Sequence, residues 1–209
     1  MAIKKKTVII VAVIIAFLGI IGVGSGYTVY LRVMAPNVAV QEDVSLYVKP
    51  TFNLDSILVQ TQKLQLFKND GSFEWWANRQ NLGSHLTAGR YVITPGMSNR
   101  EIVNLLMSGR QTPVNVTFNN IRTKADFAGR IGEQLIADSS DFVAYFDSSA
   151  YFSTLGLNKD NFMTIFIPNT YELYWNTDAE GFVKRMAKEH DNFWTQARRD
   201  KAKKIGLSP

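Results

Sequence analysis

The chain has 209 residues, of which 46% are hydrophobic and 12% aromatic, with a formal net charge of +5 and no cysteine. That composition is globular and sufficient for one or two ordinary domains, and without a disulfide framework stability must come from packed cores. Lys4, Lys5, Lys6 and Arg32 supply most of the positive excess, so the remainder is close to neutral and carries no nucleic-acid footprint.

Residues 7–23 contain no charge, and the uncharged run continues to Leu31. A helix needs ~20 apolar residues to cross a hydrocarbon core of ~30 Å, so 7–31 reads as a transmembrane anchor. Tyr27 and Tyr30 fall at its far interface. The lysines ahead of it predict a short cytoplasmic tail, 1–6, with everything beyond the anchor outside the cytoplasm. A cleaved signal peptide is the alternative, with Val23-Gly24-Ser25 as its processing site, but the apolar run is longer than such peptides usually carry.

Residues 32–43 read as a short exposed stalk. A strand follows, with Val44, Leu46 and Val48 facing one way. Asn53 caps a helix running to about Gln62, and the Asn69-Asp70-Gly71 turn opens another around Phe73-Glu74-Trp75-Trp76, where one tryptophan is expected buried and the other exposed. Next come a strand over 90–94, a Pro95-Gly96 turn and a helix opened by the capping box Ser98-x-x-Glu101. That helix buries Ile102, Val103, Leu105 and Leu106 and is closed by Gly109. Val114, Val116 and Phe118 alternate as a further strand. Together, residues 44–118 make a small α+β module of the LysM-like kind.

A second unit, 119–209, reads as the incomplete start of a mixed α/β domain. Thr123-x-x-Asp126 caps a helix carrying Phe127, Ile131, Leu135 and Ile136 through about Ala137, and Ser139 or Ser140 begins a helix with Phe142, Val143 and Phe146. Thr177-x-x-Glu180 is a further capping box, opening one long helix with Phe182, Met186, Phe193 and Trp194 inward and stopping at Gly206. Its basic end, Arg198 to Lys204, is most simply a solvated face, with contact to anionic lipid or anionic cell-wall polymer as the alternative use. Ser208-Pro209 has the form of another helix start.

Between these helices lies Phe166-Ile167-Pro168-Asn169-Thr170-Tyr171-Glu172-Leu173-Tyr174-Trp175-Asn176-Thr177, which sets four aromatics around one carboxylate beside a rigid proline turn. Aromatic faces suit the C–H faces of sugars, and a few polar groups fix orientation, so Asn169, Thr170, Tyr171, Glu172 and Trp175 are the candidate substrate-binding residues. The competing reading is a buried aromatic strand and turn. His85 and His190 are isolated, so no metal site is expected.

Three features in order, the anchor, A-G-R-Y-V-I-T-P-G-M-S-N-R-E-I-V-N-L-L-M-S-G at 88–109 and F-I-P-N-T-Y at 166–171, resemble the YceG-like family, the endolytic murein transglycosylases of the bacterial inner membrane. Asn169 stands where that family usually has Asp. The resemblance implies an α+β protein, single-pass in the plasma membrane, that cleaves nascent peptidoglycan glycan strands to 1,6-anhydro-muramoyl ends without any cofactor, with peptidoglycan synthases as partners. It also implies a catalytic glutamate on a helix that follows the element matching Gly206-Leu207-Ser208-Pro209. That glutamate is expected beyond Pro209, so these 209 residues are expected to be inactive alone. A non-catalytic, membrane-tethered peptidoglycan-binding scaffold is the other reading.

Overall fold

The computed structural model describes residues 5–119, 121–148 and 150–207. Its secondary structure is mixed, with helices beside two separate two-stranded antiparallel sheets, an α+β protein. The chain divides into two units, Met1–Arg110 and Gln111–Pro209. The expected Ser208-Pro209 helix start lies outside the described residues, as do Lys4 and the side chains of Lys5 and Lys6.

In the first unit α1 (Lys5–Met34) is one unbroken helix. Its stretch Ile10–Met34 is long and apolar enough to cross a membrane and is exposed from Ile10 to Arg32. The segment expected to be an exposed stalk is instead packed: Val33, Asn37 and Val38 are buried. Pro36 bridges to Ser98 and Val38 to Phe67. The reason is a polar knot that composition does not announce. Buried Asn99 donates through Nδ2 to the Arg32 carbonyl at 2.7 Å and to Ser72 Oγ at 3.0 Å, and its Oδ1 accepts from Asn37 Nδ2 at 2.8 Å. Asn37 also donates to the Asn69 carbonyl and accepts from the Asn69 N–H, both at 3.0 Å. The Arg32 carbonyl is among the last four of α1, which have no partner within the helix, so Asn99 serves as its side-chain cap.

β1 (Val44–Val48) pairs with β2 (Gly89–Ile93), Leu46 facing Tyr91. Their inward residues Leu46, Val48, Tyr91 and Ile93 are fully buried against α2 (Leu54–Lys63), α3 (Asp70–Arg79), the single turn α4 (Leu82–His85) and α5 (Asn99–Ser108). The local signals hold. Asn53, Asn69 and Ser98 cap α2, α3 and α5, the Ser98–Glu101 box is reciprocal, and Gly109 ends α5 at φ +66°, where a Cβ is disfavoured. Trp75 and Trp76 do not divide into one buried and one exposed; both are half-buried.

In the second unit, β3 (Val114–Phe118) pairs with β4 (Asn169–Leu173) rather than with β1 or β2, so this strand, grouped by sequence with the first module, belongs to the second unit. Its core is largely phenylalanine: Phe118, Phe127, Phe142, Phe146, Phe152, Phe162, Phe166 and Phe182 are buried together. α6 (Lys124–Gly132) is capped by Thr123, as the sequence predicts, but stops well short of Ala137. A Cβ on Gly132 would lie 2.6 Å from the backbone nitrogen of Ser139. The start of α7 (Ser139–Ser148) thus crosses at a distance only glycine permits. A short helix α8 (Tyr151–Thr154) and a 3-10 turn (Phe162–Ile165) lead to β4.

The next helix, α9 (Ala179–Phe193), is capped by Asp178, whose carboxylate accepts from the Gly181 N–H at 2.8 Å. Thr177, the expected cap, turns back to donate to the Tyr174 carbonyl. The expected single long helix is broken at Trp194–Thr195, and α10 (Gln196–Lys204) is separate. The exposed last carbonyls of α9 are satisfied by guanidinium groups, Arg198 to Phe193 at 2.5 Å and Arg199 to Trp194 at 2.8 Å. Phe193, expected inward, is consequently exposed with the Arg198 guanidinium 4.2 Å from its ring centre, and Trp194 is only half-buried.

Candidate functional site

The β3–β4 ribbon sorts its residues by strand alternation. Val116, Phe118, Tyr171 and Leu173 face the phenylalanine core, with Phe118 and Tyr171 stacked diagonally across the strands at 5.5 Å. Asn115, Thr117, Thr170 and Glu172 face away from it. Thr117 and Thr170 are direct partners whose hydroxyls lie 2.8 Å apart, the close approach expected of a pair that does not exchange backbone hydrogen bonds.

The two edges of the ribbon are treated differently. On the β3 side the Gln134 amide imitates a third strand, accepting from the Thr117 N–H at 2.9 Å and donating to its carbonyl at 3.1 Å. On the β4 side Arg185, from α9, donates to the Glu172 carbonyl at 3.3 Å and is itself held by Glu189 at 2.7 Å. An open groove of about 470 Å³ runs along this edge, lined by Pro113, Glu172, Leu173, Tyr174, Thr177, Gly181 and Arg185. Tyr174 is the exposed aromatic, with 55% of its surface accessible. An aromatic face, a carboxylate, a hydroxyl and a guanidinium around an open cleft form a lining suited to a polyol strand.

Residues 46–209 match the YceG-like family over more than half of the chain. The chain belongs to the YceG-like family. A crystal structure of a YceG-like protein from Listeria monocytogenes aligns at 18% identity and a TM-score of 0.40, covering 80% of this chain and 60% of that one. No curated protein matches.

Within this YceG-like chain the two motifs build a strand, a turn and a helix in the first unit and the entry to a strand in the second. Residues 88–109 form β2, the Pro95-Gly96 turn and α5, and residues 166–171 form the turn into β4. The candidate binding residues are divided among different surroundings. Thr170 and Glu172 lie on the outward face, and Asn169 is exposed with its side-chain oxygen accepting from the Thr170 N–H at 2.8 Å. Tyr171, expected in the groove, points instead into the core, because strand alternation puts it opposite in sense to its neighbours. Its hydroxyl donates to the Ile167 carbonyl at 2.6 Å, closing the turn across Pro168. Burial, and secondarily the Glu189 carboxylate, push that hydroxyl's pKa up. Trp175 is half-buried, and its carbonyl accepts from the Ile136 N–H at 2.8 Å.

Tyr174, Thr177 and Arg185 are the groove residues that sequence reading missed. Alternation counted from Tyr171 leads to Tyr174 on the outward side. Nothing local leads to Arg185, which arrives from another helix. The four aromatics do not enclose Glu172, which is exposed. Among the described residues no aspartate or glutamate is buried, and no group of three or more His, Asp or Glu gathers as a metal site would require.

Proposed function

We propose that this YceG-like chain is the membrane-anchored, glycan-holding portion of an endolytic murein transglycosylase that acts on nascent peptidoglycan beside the plasma membrane. α1 serves as the single-pass anchor, with the N-terminal lysines in the cytoplasm and the two units outside. The observation that carries the reading is the groove along β4, where Tyr174, Thr177, Glu172 and Arg185 meet within the segment matching the family.

Lytic cleavage needs one carboxyl that protonates the departing glycosidic oxygen and then accepts a proton from the muramoyl 6-hydroxyl as that oxygen closes onto C1. A hydrolase instead places a second carboxylate at a set separation. Such a proton donor is best kept protonated by apolar enclosure, and the described carboxyls lack that enclosure. The residues described here therefore orient the strand, Tyr174 by stacking on a sugar face and Glu172, Thr177 and Arg185 by hydrogen bonds, while the proton donor is none of them. The same lack of an enclosed carboxyl favours a second reading, a tethered scaffold that binds peptidoglycan and recruits synthases.

Equilibrium binding of purified glycan strands to the detergent-solubilised chain and to Tyr174→Ala tests the groove. Tyr174 is exposed, so the variant keeps its fold, and loss of one stacking contact of about 1–1.5 kcal/mol weakens binding roughly tenfold. Unchanged affinity removes the groove from the account.

A further inference from the structure

The end of α1 does more than leave the membrane. Ile10–Met34 spans 25 residues, about 37 Å at 1.5 Å per residue, against a hydrocarbon core of ~30 Å. Counting ~20 residues from Thr7 or from Ile10 ends the hydrocarbon between Gly26 and Val29, so the last two turns of α1 stand at headgroup depth. There α1 is not free. Val33 is buried, Asn99 caps the Arg32 carbonyl, and Arg100 Nη1 approaches Met34 Sδ at 3.7 Å. This fixes α3 and α5 at the same depth.

Between these helices lies an open groove of about 540 Å³, with Val29, Tyr30 and Val33 on the α1 wall and Trp76, Arg100 and Asn104 on the other. Arg100 is the cation in its lining. Arg32 and Arg79 stand outside that lining, their guanidinium groups 5.6 and 6.0 Å from the ring centre of Trp75, and add positive charge at the same junction. The nearby acids do not cancel them. Glu101 is turned to the Ser98 N–H and hydroxyl, both at 2.7 Å. Glu74, at 100° per residue, falls on the side of α3 away from Trp76 and Gln80, and Asp70 lies on its flank. Tyr27, Tyr30, Trp75 and Trp76 add the aromatic girdle that prefers the interface.

We infer that this groove, formed where α1 joins α3 and α5, binds the phosphate headgroup of an anionic phospholipid of the phosphatidylglycerol class, in the leaflet facing the first unit. The acyl chains run down α1 from Val29 past Gly26, and the Arg100 guanidinium takes the phosphate, the geometry for which arginine is suited, with Arg32 adding positive charge beside it. The site orients the first unit on the membrane surface. It rests on α1 being an anchor.

The test uses the full chain in nanodiscs of phosphatidylcholine and phosphatidylglycerol in equal amounts, followed by native mass spectrometry of the lipid retained on release. The wild type is expected to retain phosphatidylglycerol in at least tenfold preference. Arg32→Gln and Arg100→Gln are each expected to lower that preference about fivefold, as loss of one basic residue at an anionic surface does. Arg198→Gln in the second unit leaves it unchanged. Both arginines are exposed, and the circular dichroism of each variant verifies its fold. Equal retention of the two lipids, or Arg32 and Arg100 variants that keep the full preference, overturns the site. Selective displacement of phosphatidylglycerol by an equal amount of a polyprenyl phosphate overturns the headgroup assignment in favour of a carrier lipid. Extraction of the chain from membranes by alkaline carbonate sinks the anchor reading itself, whereas resistance to extraction without lipid preference sinks the headgroup site alone.

Discussion

Replacing Asn99 by alanine removes the side chain on which the end of α1 rests. Asn99 is 1% exposed and makes three side-chain hydrogen bonds, to the Arg32 carbonyl, Ser72 and Asn37. Each is worth about 1 kcal/mol net, and the partners left behind are themselves enclosed, so the loss comes to about 3 kcal/mol. For a unit of this size that lowers the melting temperature by on the order of 15 °C. Asn99→Asp keeps the volume and the acceptor for Asn37 but turns a carboxylate toward the Arg32 carbonyl at the negative end of α1, so it is at least as damaging as alanine. Thermal unfolding of the full chain in detergent, followed by near-ultraviolet circular dichroism, reads both. Hydrogen exchange at α3 and α5 shows whether the loss begins at the junction. An alanine variant within about 1 kcal/mol of wild type, or an aspartate variant more stable than the alanine one, refutes the view that this knot holds α1 to the first unit.

Two other substitutions test the second unit. Gly132→Ala ordinarily favours a helix by up to ~1 kcal/mol, but here the new Cβ meets the Ser139 nitrogen at 2.6 Å and the Asp138 carbonyl carbon at 2.9 Å. A net loss of about 1–3 kcal/mol in denaturant melts is expected, and a stabilised variant contradicts the close crossing. Burial lowers the pKa of His190 below its usual 6.5, opposed by Asp191 and reinforced by Arg199. The unfolded chain therefore takes up this proton first, and stability falls as pH drops below 6.5 toward the folded value, by no more than about 1.4 kcal/mol per pH unit. His190→Asn should flatten that part of the stability profile; a variant that keeps the wild-type acid slope removes His190 as its source.

Much of the fold was legible because its signals are local. Asn53, Asn69, Ser98 and Thr123 each announce a helix within four residues, and Gly109 ends one. What escaped was set by distant partners. β3 has the alternation of a strand but nothing in it names β4 as its mate. α6 stops because α7 crosses Gly132. The supposed stalk is packed because Asn37 and Asn99, 62 residues apart, meet. At the candidate site, the choice of segment stood on aromatic composition, whereas the choice of residues required the face of each side chain. Alternation sends Tyr171 inward and leaves Glu172 and Tyr174 outward, and the Arg185 contact depends on where α9 lies.

The most direct trial of the account is to incubate the purified 209-residue chain with uncrosslinked glycan strands, measuring co-sedimentation and analysing the supernatant for 1,6-anhydro-muramoyl ends. Saturable binding that Tyr174→Ala weakens, with no anhydro ends released, is the predicted result. Anhydro ends produced by this chain, or binding indifferent to Tyr174, would contradict it.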